Sequence, residues 1–288
     1  MLRVVTYNIR AAIGPGPFPP TWWRQVDRER LERLGQVVAA LEPNVVALEE
    51  VALTTIDGVV LDMAAELSRL TGLESRYGAV GHSPIVDPDS GDRIGASFWG
   101  NALLSRLPIQ SSRTIGLPTA ADDELVEPVD SDLDLAGVAY SAAPTGAREA
   151  RCLVRCEVDW EAELPLHLLS THLTHVGSGQ RQRQAGRIAE VIFELEGPLI
   201  LMGDLNAPMH RADLEPLRSG LVDAFSAVGV PTTDPRRESC DSLPIDQILV
   251  RGMNVLSCRV VREAGDASDH WPVVAELEPA GASAQLER

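Results

Sequence analysis

Apolar residues recur along the chain with two periods, one typical of strands and one typical of helices. Short runs rich in Val, Ile and Leu predict strands over residues 2–9, 45–51, 94–104, 108–115, 150–158, 164–172, 198–202, 245–250, 254–262 and 271–277. Apolar residues at helical spacing predict helices from about Asp27 to Leu41, from Val60 through Leu70 to Gly72, and from about Gln180 to Leu195. The alternation of the two element types predicts an α/β fold.

The chain shows no linker that would separate independent domains, and its second half repeats the scheme of the first. We therefore expect one domain over residues 1–278, followed by a frayed tail over 279–288. Residues 14–23 are rich in Pro and Gly and predict a loop. We interpret residues 117–147 as an acidic surface insertion, with a functional lid as the alternative, because they carry Asp122, Asp123, Glu124, Glu127, Asp130, Asp132 and Asp134.

Composition excludes several classes of protein. Hydrophobic residues make up 44% and charged residues 23% of the chain, which excludes intrinsic disorder and collagen-like folds. No apolar run reaches the roughly 20 residues of a membrane helix, and we expect no signal peptide, since the first residues lack its charged start and cleavage site. The 25 basic residues, all arginine, face 42 acidic ones, and the net charge of −17 disfavours binding of polyanions.

The cysteines, Cys152, Cys156, Cys240 and Cys258, form no C-x-x-C pair. Cys152 and Cys156 lie in one predicted strand, too far apart to bridge each other. We interpret all of them as free thiols in a reducing compartment, with disulfides or a metal site as the alternative. We accordingly expect a cytoplasmic protein.

Polar residues stand at the ends of the predicted strands, where a strand interior would not tolerate them. They are Asn8, Glu49-Glu50, His172, Asp204, Asn206, Asp246 and Asp269-His270. Strand ends in a helix-covered sheet form the rim at which ligands bind, and Mg²⁺ and Mn²⁺ prefer carboxylate and carboxamide oxygens. Taken singly, each residue has a simpler explanation as a turn former, a helix cap or a core histidine. The ordered set favours a cation site.

Eight short motifs carry this set along the chain. They are Thr6-Tyr7-Asn8-Ile9-Arg10, Ala47-Leu48-Glu49-Glu50-Val51, Gly100-Asn101-Ala102-Leu103-Leu104-Ser105-Arg106, Arg148-Glu149-Ala150-Arg151, Ser170-Thr171-His172-Leu173, Gly203-Asp204-Leu205-Asn206, Ile245-Asp246-Gln247-Ile248 and Ser268-Asp269-His270-Trp271-Pro272-Val273. In these motifs and their order the chain resembles the endonuclease/exonuclease/phosphatase superfamily, whose fold is that of deoxyribonuclease I. The most specific part is G-D-x-N followed by S-D-H-x-P-V.

The resemblance implies a four-layer αββα sandwich, in which two packed, mostly antiparallel sheets are flanked by helices. It also implies hydrolysis of phosphate esters with Mg²⁺ or Mn²⁺ as the cofactor. Glu50 resembles the main metal ligand, with Asn8 and Asp269 close to the metal, and His270 resembles the general base for the attacking water, oriented by Asp246. The chemistry agrees, because histidine titrates near neutral pH and a carboxylate behind it fixes its tautomer.

The remaining residues of the set are expected to bind the phosphate. Asp204 and Asn206 resemble the pair that holds the attacking water or leaving group and the phosphate oxygens. His172 resembles the second histidine of the family, a phosphate-binding or acid group with Glu149 as its partner, and Asn101 is a candidate substrate contact. An asparagine side chain suits such a role because it both accepts and donates hydrogen bonds.

Three features depart from the family pattern. Glu49 replaces the common glutamine before the metal-binding glutamate and adds negative charge. Ala11-Ala12 replace a His-Gly pair of many bacterial relatives. The loop that follows carries Trp22 and Trp23, which form either an apolar wall that recognises the organic part of a substrate or a contact that packs the loop onto the body.

Three hypotheses about function stay open. The favoured one is a metal-dependent phosphodiesterase or phosphatase that acts on a small or lipid-derived phosphoester, and the alternative is an endo- or exonuclease that acts on DNA or RNA. A non-catalytic binding protein is disfavoured because the set of site residues is intact. A basic series on one predicted helix, Arg181, Arg183 and Arg187, is explained more simply as a solvated face than as a nucleic-acid track. The sequence is compatible with phosphomonoester and phosphodiester substrates and with one or two metal ions at the site.

Overall fold

The computed structural model of the protein contains two β-sheets that stack face to face, with helices on their outer surfaces. It describes residues 1–17, 21–24, 26, 28–118, 150–160, 164–175 and 177–280. Buried apolar side chains form three core layers, one between the sheets and one under the helices on each side. Val4 and Ile200 lie in the middle layer, whereas Leu34 and Ile188 belong to the outer layers. The predicted four-layer αββα sandwich is confirmed.

The first sheet has the strand order β12-β13-β1-β2-β5-β4, with β3 paired to β2. Its strands are β1 (Leu2–Asn8), β2 (Val45–Ile56), β3 (Val59–Asp62), β4 (Glu74–Val86), β5 (Arg93–Ser105), β12 (Met253–Val260) and β13 (Val273–Pro279). The second sheet has the order β10-β11-β9-β8-β7-β6. Its strands are β6 (Ile109–Leu117), β7 (Arg151–Val158), β8 (Leu166–His172), β9 (Leu199–Asp204), β10 (Val222–Asp223) and β11 (Asp246–Arg251).

One parallel strand pair lies within each otherwise antiparallel sheet. β1 pairs in parallel with β2 across helix α1 (Arg28–Ala40), and β8 pairs in parallel with β9 across α3 (Ser178–Phe193). These two β-α-β units are the repeat that the sequence indicates. The parallel pairing of the first unit stops at Asn8 and Glu49 and that of the second at His172 and Asp204, so each unit brings a pair of polar residues to one rim of the sandwich.

The other helices are short. Helix α2 (Met63–Thr71) begins at Asp62, whose side chain caps it by accepting from the Ala65 amide, and ends at Gly72 in the left-handed conformation. The one-turn helices α4 (Glu215–Arg218) and α5 (Ala224–Ala227) complete the α-helices of the described chain, which also has short 3-10 turns. None of the helices in the residues listed above is long and apolar enough to cross a bilayer.

Most predicted elements are found within a few residues of their expected bounds, with two corrections. Residues 59–62, predicted as the start of a helix, form strand β3 instead, and the helix begins only at Met63. Strand β4 (Glu74–Val86) was not predicted at all. Residues 119–149, which hold nearly all of the expected acidic insertion, and residues 281–288 of the expected tail lie outside the described residues.

Candidate active site

The site residues meet at the rim where the two parallel pairs end. Asn8 is the last residue of β1, and His172 and Asp204 are the last residues of β8 and β9. β11 runs antiparallel to β9, so its first residue, Asp246, lies directly opposite Asp204. His270 precedes the antiparallel strand β13 and comes to the same edge.

A bulge in β2 turns Glu50 towards the site. Leu48 pairs with Ala102 and Val51 with Gly100, so Glu49 and Glu50 together oppose one residue of β5. Glu50 has a φ of +52°, a left-handed value that is costly for a non-glycine residue. Both carboxylates consequently reach the same face of β1, since Thr6 donates to Glu49 at 3.1 Å and Asn8 donates to Glu50 at 3.1 Å.

Asn8 bridges the two sheets. Its Nδ2 donates to Oε1 of Glu50 at 3.1 Å and to Oδ2 of Asp204 at 3.2 Å, and its Oδ1 accepts from the amide of Arg10 at 3.0 Å. The structure thus brings together Asn8, Glu50 and Asp204.

Asp269 lies at the edge of this group and is fixed by two neighbours. Oδ2 pairs with Nε of Arg10 at 3.0 Å, and Oδ1 accepts from Ser268 at 3.2 Å. Ser268 Oγ also lies 2.8 Å from the Asn8 carbonyl oxygen, which ties this loop to the end of β1. About a third of the Asp269 side chain is exposed.

The turn after β1 has an unusual backbone. Arg10, Ala11 and Ala12 have φ values of 47°, 47° and 56°, left-handed values that L-residues rarely adopt in succession. Ala11 and Ala12 are fully buried, and Arg10 holds the turn with a 2.7 Å hydrogen bond from Nη1 to the Gly14 carbonyl. The two alanines noted in the sequence therefore form a strained turn that aims Arg10 at Asp269.

His270 and Asp246 form a buried pair. Nδ1 of His270 donates to Oδ2 of Asp246 at 2.8 Å, and Ser239 donates to the same oxygen at 2.6 Å. Burial alone would lower the pKa of His270, but the charge of Asp246, the hydrogen bonds to Asp246 and Cys240 and the charge of Asp204 together outweigh burial and hold that pKa well above its ordinary value. Nε2 is the nitrogen left for chemistry, and it lies 3.8 Å from Oδ2 of Asp204.

Asp204 lies at the centre of the site. Its Oδ1 accepts from the backbone amide of Asn206 at 2.8 Å, and its Oδ2 lies near Asn8, His172 and His270. Burial, together with the neighbouring charge of Asp246, raises the pKa of Asp204 to about 7, against the opposing effect of His270.

Glu49 is a fully buried carboxyl group behind the rim. Only Thr6 donates to it within the described chain, and its Oε2 has no hydrogen-bond partner there. Burial and the charges of Asp246 and Asp204 raise the pKa of Glu49 well above its usual range. A protonated Glu49 has the shape of the glutamine that it replaces, so the extra negative charge expected from the sequence is suppressed.

His172 contacts three side chains of the site. Nε2 lies 2.9 Å from Nδ2 of Asn206 and 3.4 Å from Oδ2 of Asp204, and Nδ1 lies 3.2 Å from Nη1 of Arg151. Glu149, the expected partner of His172, lies outside the described residues.

A narrow cleft opens between the sheets beside these residues. Glu50, Asn101, Arg151 and His172 line it. Asn101, the candidate substrate contact, is 3% exposed, and its Nδ2 donates to the carbonyl of Cys152 at 3.2 Å. One of its two amide hydrogens is therefore used to join the sheets.

The two tryptophans of the loop after β1 differ in environment. Trp22 is 6% exposed, lies in the outer core of the first sheet, and stacks edge-on against Trp99 with ring centroids 4.7 Å apart. Trp23 is half-buried and packs edge-on against Trp22 at 6.2 Å. Of the two roles considered, the structure favours packing, and most clearly for Trp22.

The donor set fits a divalent cation. Five carboxyl groups gather at this rim, and single oxygens of Glu49 and Asp246 have no partner among the described atoms. One ligand atom from each of Asp204, Asp246 and His270 lies within 4.8 Å of the others, close enough to share an ion. The ligand set that the resemblance implies, Glu50, Asn8 and Asp269, lies at the same rim, and we carry it forward as a hypothesis beside this cluster.

Sequence reasoning missed three partners of the site residues. Ser239 orients Asp246, Ser268 anchors Asp269, and Arg151 contacts His172. Ser268 and Arg151 belong to motifs that the sequence singled out, so their position carried a signal. Ser239 lies in a loop with no motif of its own.

The cysteines are free thiols, as expected: Cys152, Cys156 and Cys258 are buried, and Cys240 is partly exposed.

The αββα sandwich, with acidic residues and a His–Asp pair at one rim, defines a hydrolase scaffold of the deoxyribonuclease I type. A family model described as the Endonuclease/Exonuclease/phosphatase family matches residues 5–270. The chain belongs to this family, whose members are phosphodiesterase and nuclease hydrolases that generally use divalent metals.

Solved structures share the fold at low sequence identity. An endonuclease/exonuclease/phosphatase protein from Beutenbergia cavernae matches 98% of this chain and 72% of its own, with a TM-score of 0.63 and 23% identity. The human Nocturnin catalytic domain, with a bound sulfate anion, matches 96% of this chain and 94% of its own, with a TM-score of 0.63 and 16% identity. TDP2 of D. rerio, humanized by 14 mutations, matches 96% of this chain and 98% of its own, with a TM-score of 0.61 and 17% identity. No curated protein matches the chain in sequence.

Proposed function

We propose that the protein is a divalent-metal-dependent hydrolase of phosphate esters that acts on a compact, small or lipid-derived phosphoester. The observation that carries the proposal is the 2.8 Å pairing of His270 Nδ1 with Asp246, which leaves Nε2 of the imidazole 3.8 Å from Oδ2 of Asp204. This arrangement is that of a general base held in one tautomer beside a group of acidic oxygen ligands.

Glu50, Asn8 and Asp269 would hold the Mg²⁺ or Mn²⁺ ion. When bound, the ion supplies Lewis-acid stabilisation of the negative charge on the phosphate. Glu50 and Asn8 come from neighbouring parallel strands, and Asp269 is fixed by Arg10. Two of these ligands therefore rest on strands and the third is held by an ion pair, which suits a site that must keep its geometry during reaction.

The other residues handle the proton and the phosphate. His270 accepts the proton of the attacking water at Nε2, because Nδ1 is committed to Asp246. Asp204 lies 3.8 Å from Nε2 and can accept a second hydrogen bond from the same water, which orients it. Asn206 and His172 lie beside Asp204, and in this proposal they bind the phosphate oxygens.

The choice of a compact substrate rests on charge. Of the basic series on helix α3, Arg181 is buried against Asp213 at 2.6 Å, and Arg187 pairs with Glu190 at 2.8 Å. Arg236 and Arg237 pair with Asp234 and Asp223. These side chains form no free basic track, and a polyanion needs several cationic contacts at once, whereas a single phosphate needs only the local site.

A substrate panel tests the proposal. We expect Mg²⁺- or Mn²⁺-dependent kcat/KM values at low salt to be highest for a small phosphodiester, a phosphomonoester or a phospholipid head-group ester. Single-stranded DNA, duplex DNA and RNA are the competing substrates, and His270→Ala controls for contaminating activity. Efficient cleavage of a nucleic acid, with no small ester near it, would favour the nuclease alternative and overturn the preference.

A further inference from the structure

The side chain of Tyr77 spans the bulge in β2 from the neighbouring part of the sheet. On β4, Tyr77 pairs with Ala102 of β5, and Ala102 pairs with Leu48, the last residue of β2 before the bulge. The phenolic hydroxyl of Tyr77 nevertheless donates to the carbonyl of Val51, the first residue after the bulge, at 3.2 Å. Tyr77 therefore connects the rows of the sheet on the two sides of the bulge.

The tyrosine itself is held in place by its surroundings. Its ring packs against the outer core layer of the first sheet, to which Leu48 and Val51 also belong. At the next residue along β4, the strands approach so closely that a Cβ on Gly100 of β5 would lie 1.8 Å from the carbonyl oxygen of Gly78. The strand that carries the tyrosine consequently has little room to shift relative to β5.

Glu50 needs support from other parts of the chain because its backbone is strained. Its φ of +52° is a left-handed value, which a non-glycine residue keeps only where the surrounding structure holds it. Before Glu50, the carbonyl of Glu49 accepts from the amide of Ile9 at 3.1 Å. After it, the carbonyl of Val51 accepts from the hydroxyl of Tyr77. Hydrogen bonds thus fix the backbone on both sides of the strained residue.

We propose that Tyr77 is a positioning residue, which holds the bulge in the conformation that directs Glu50 at the metal. The inference rests on the proposed function, in which Glu50 is the main ligand of a divalent cation. Without the hydroxyl, the carbonyl of Val51 loses a hydrogen bond, and the backbone of Glu50 can relax towards an ordinary strand conformation. The carboxylate is then less firmly held at the rim, so the affinity for the metal falls while the fold persists.

Electron paramagnetic resonance of Mn²⁺ tests the proposal without any assay of activity, because the signal of the free ion is lost on binding. In Tyr77→Phe, which removes only the hydroxyl, we expect the dissociation constant for Mn²⁺ to rise about threefold to tenfold, as the loss of one hydrogen bond implies. The melting temperature in EDTA controls for folding and should change little.

Tyr7→Phe is the matched control. Tyr7 lies on β1 and is 1% exposed, and its hydroxyl has no hydrogen-bond partner among the described residues. Removal of this hydroxyl should leave the affinity for Mn²⁺ unchanged. A weaker affinity in Tyr7→Phe equal to that in Tyr77→Phe would overturn the proposal, because the contact with Val51 would then explain nothing.

A double variant shows whether Tyr77 acts through Glu50. Glu50→Gln should weaken Mn²⁺ binding more than Tyr77→Phe does, because it removes the charge of the ligand itself. The double variant should bind Mn²⁺ no more weakly than Glu50→Gln alone, since the hydroxyl has no ligand left to position. An unchanged affinity in folded Tyr77→Phe, or a full further loss in the double variant, would overturn the proposal.

Failure of this inference can be told apart from failure of the proposed function. A wild-type protein that binds no Mn²⁺, or a Glu50→Gln variant that binds it as tightly as the wild-type protein, would refute the proposed metal site and the role of Tyr77 with it. Weaker binding in Glu50→Gln together with wild-type binding in Tyr77→Phe would refute the role of Tyr77 alone.

Discussion

The imidazole of His270 depends on two neighbours for its orientation, because Asp246 accepts from Nδ1 and Ser239 fixes Asp246. A base held in this way works as a unit with its carboxylate. Removal of the imidazole should leave the carboxylate without a function in catalysis.

We predict that His270→Ala lowers kcat by about 10²–10⁴-fold, the usual contribution of a general base. Asp246→Ala should also cost heavily, and the double variant should be no slower than His270→Ala alone, because the second change removes nothing further. The measurement is kcat for all three variants on one phosphodiester, with melting temperatures as the control for folding. Losses that multiply in the double variant would show that Asp246 has a separate role.

Glu49 gives a prediction about stability and pH. The pKa of Glu49 in the folded protein is raised well above the usual range, whereas in the unfolded chain it is about 4.5. At a pH higher than 4.5, the unfolded chain therefore releases a proton that the folded protein keeps. Stability is therefore lost as pH rises from that value. Glu49→Gln cannot ionise and should escape this loss.

We expect the stability of Glu49→Gln relative to the wild-type protein, measured in EDTA by urea unfolding, to increase from pH 5 to pH 7. Glu190→Gln changes an exposed glutamate on helix α3 and serves as the control. A difference between Glu49→Gln and the wild-type protein that does not vary with pH would mean that Glu49 is ionised in the folded state.

At the scale of elements, two β-α-β units and one bulge assemble the site. The end of β1 carries Asn8, the bulge in β2 carries Glu50, and the ends of β8 and β9 carry His172 and Asp204. β8 and β9 approach so closely at Gly203 that a Cβ there would lie 1.8 Å from the Thr171 carbonyl oxygen. The glycine of the G-D-x-N motif is thus required by the packing of two backbones.

We predict that Gly203→Ala destabilises the protein by on the order of 3 kcal/mol and also displaces Asp204 and His172, since the overlap is with backbone that cannot rotate away. Gly186→Ala, on helix α3 with open space around it, is the matched control and should be neutral or slightly stabilising. Urea unfolding and kcat together measure both effects. A fully stable and active Gly203→Ala would contradict the close approach of the strands.

Much of this element structure could be predicted from the sequence, because strand and helix periods are local. β4 was missed because Gly78, Gly81 and Pro84 interrupt its strand pattern. Residues 59–62 were wrongly assigned to a helix because Val60 fits both a helical stripe and a strand. Only the helix cap at Asp62 marks where the strand ends and the helix begins. Periodicity is ambiguous in such short segments.

The site could be predicted only as far as its motifs reach. They identified Asn8, Glu50, Asp204 and His270, which the structure brings to one rim. The contact of Arg151 with His172 depends on which strands pair, and the orientation of Asp246 depends on how the preceding loop folds back to bring Ser239 against it. The burial of Trp22 likewise depends on the tertiary position of Trp99. Long-range packing of this kind is not encoded in any local pattern.

At the scale of the whole molecule, the chain is strongly negative although the proposed substrate is also negatively charged. The chain carries −17, and the site itself is rich in carboxyl groups. Burial offsets part of this charge, since it favours the protonated form of Glu49 and raises the pKa of Asp204 to about 7. The carboxylates that stay ionised still make the site negative, and a divalent cation would neutralise that charge. The negative charge of the site thus agrees with the proposed metal-dependent chemistry.

Recovery of activity by metal ions tests the central claim most directly. Hydrolysis of a small phosphodiester is measured in EDTA-treated protein as free Mg²⁺ or Mn²⁺ is returned, for the wild-type protein, Glu50→Gln and the surface control Glu190→Gln. The account predicts no activity without metal, full recovery in the wild-type and control proteins, and a loss of at least about a hundredfold in Glu50→Gln despite an unchanged fold. Full activity in the metal-free protein, or wild-type rates in Glu50→Gln, would contradict it.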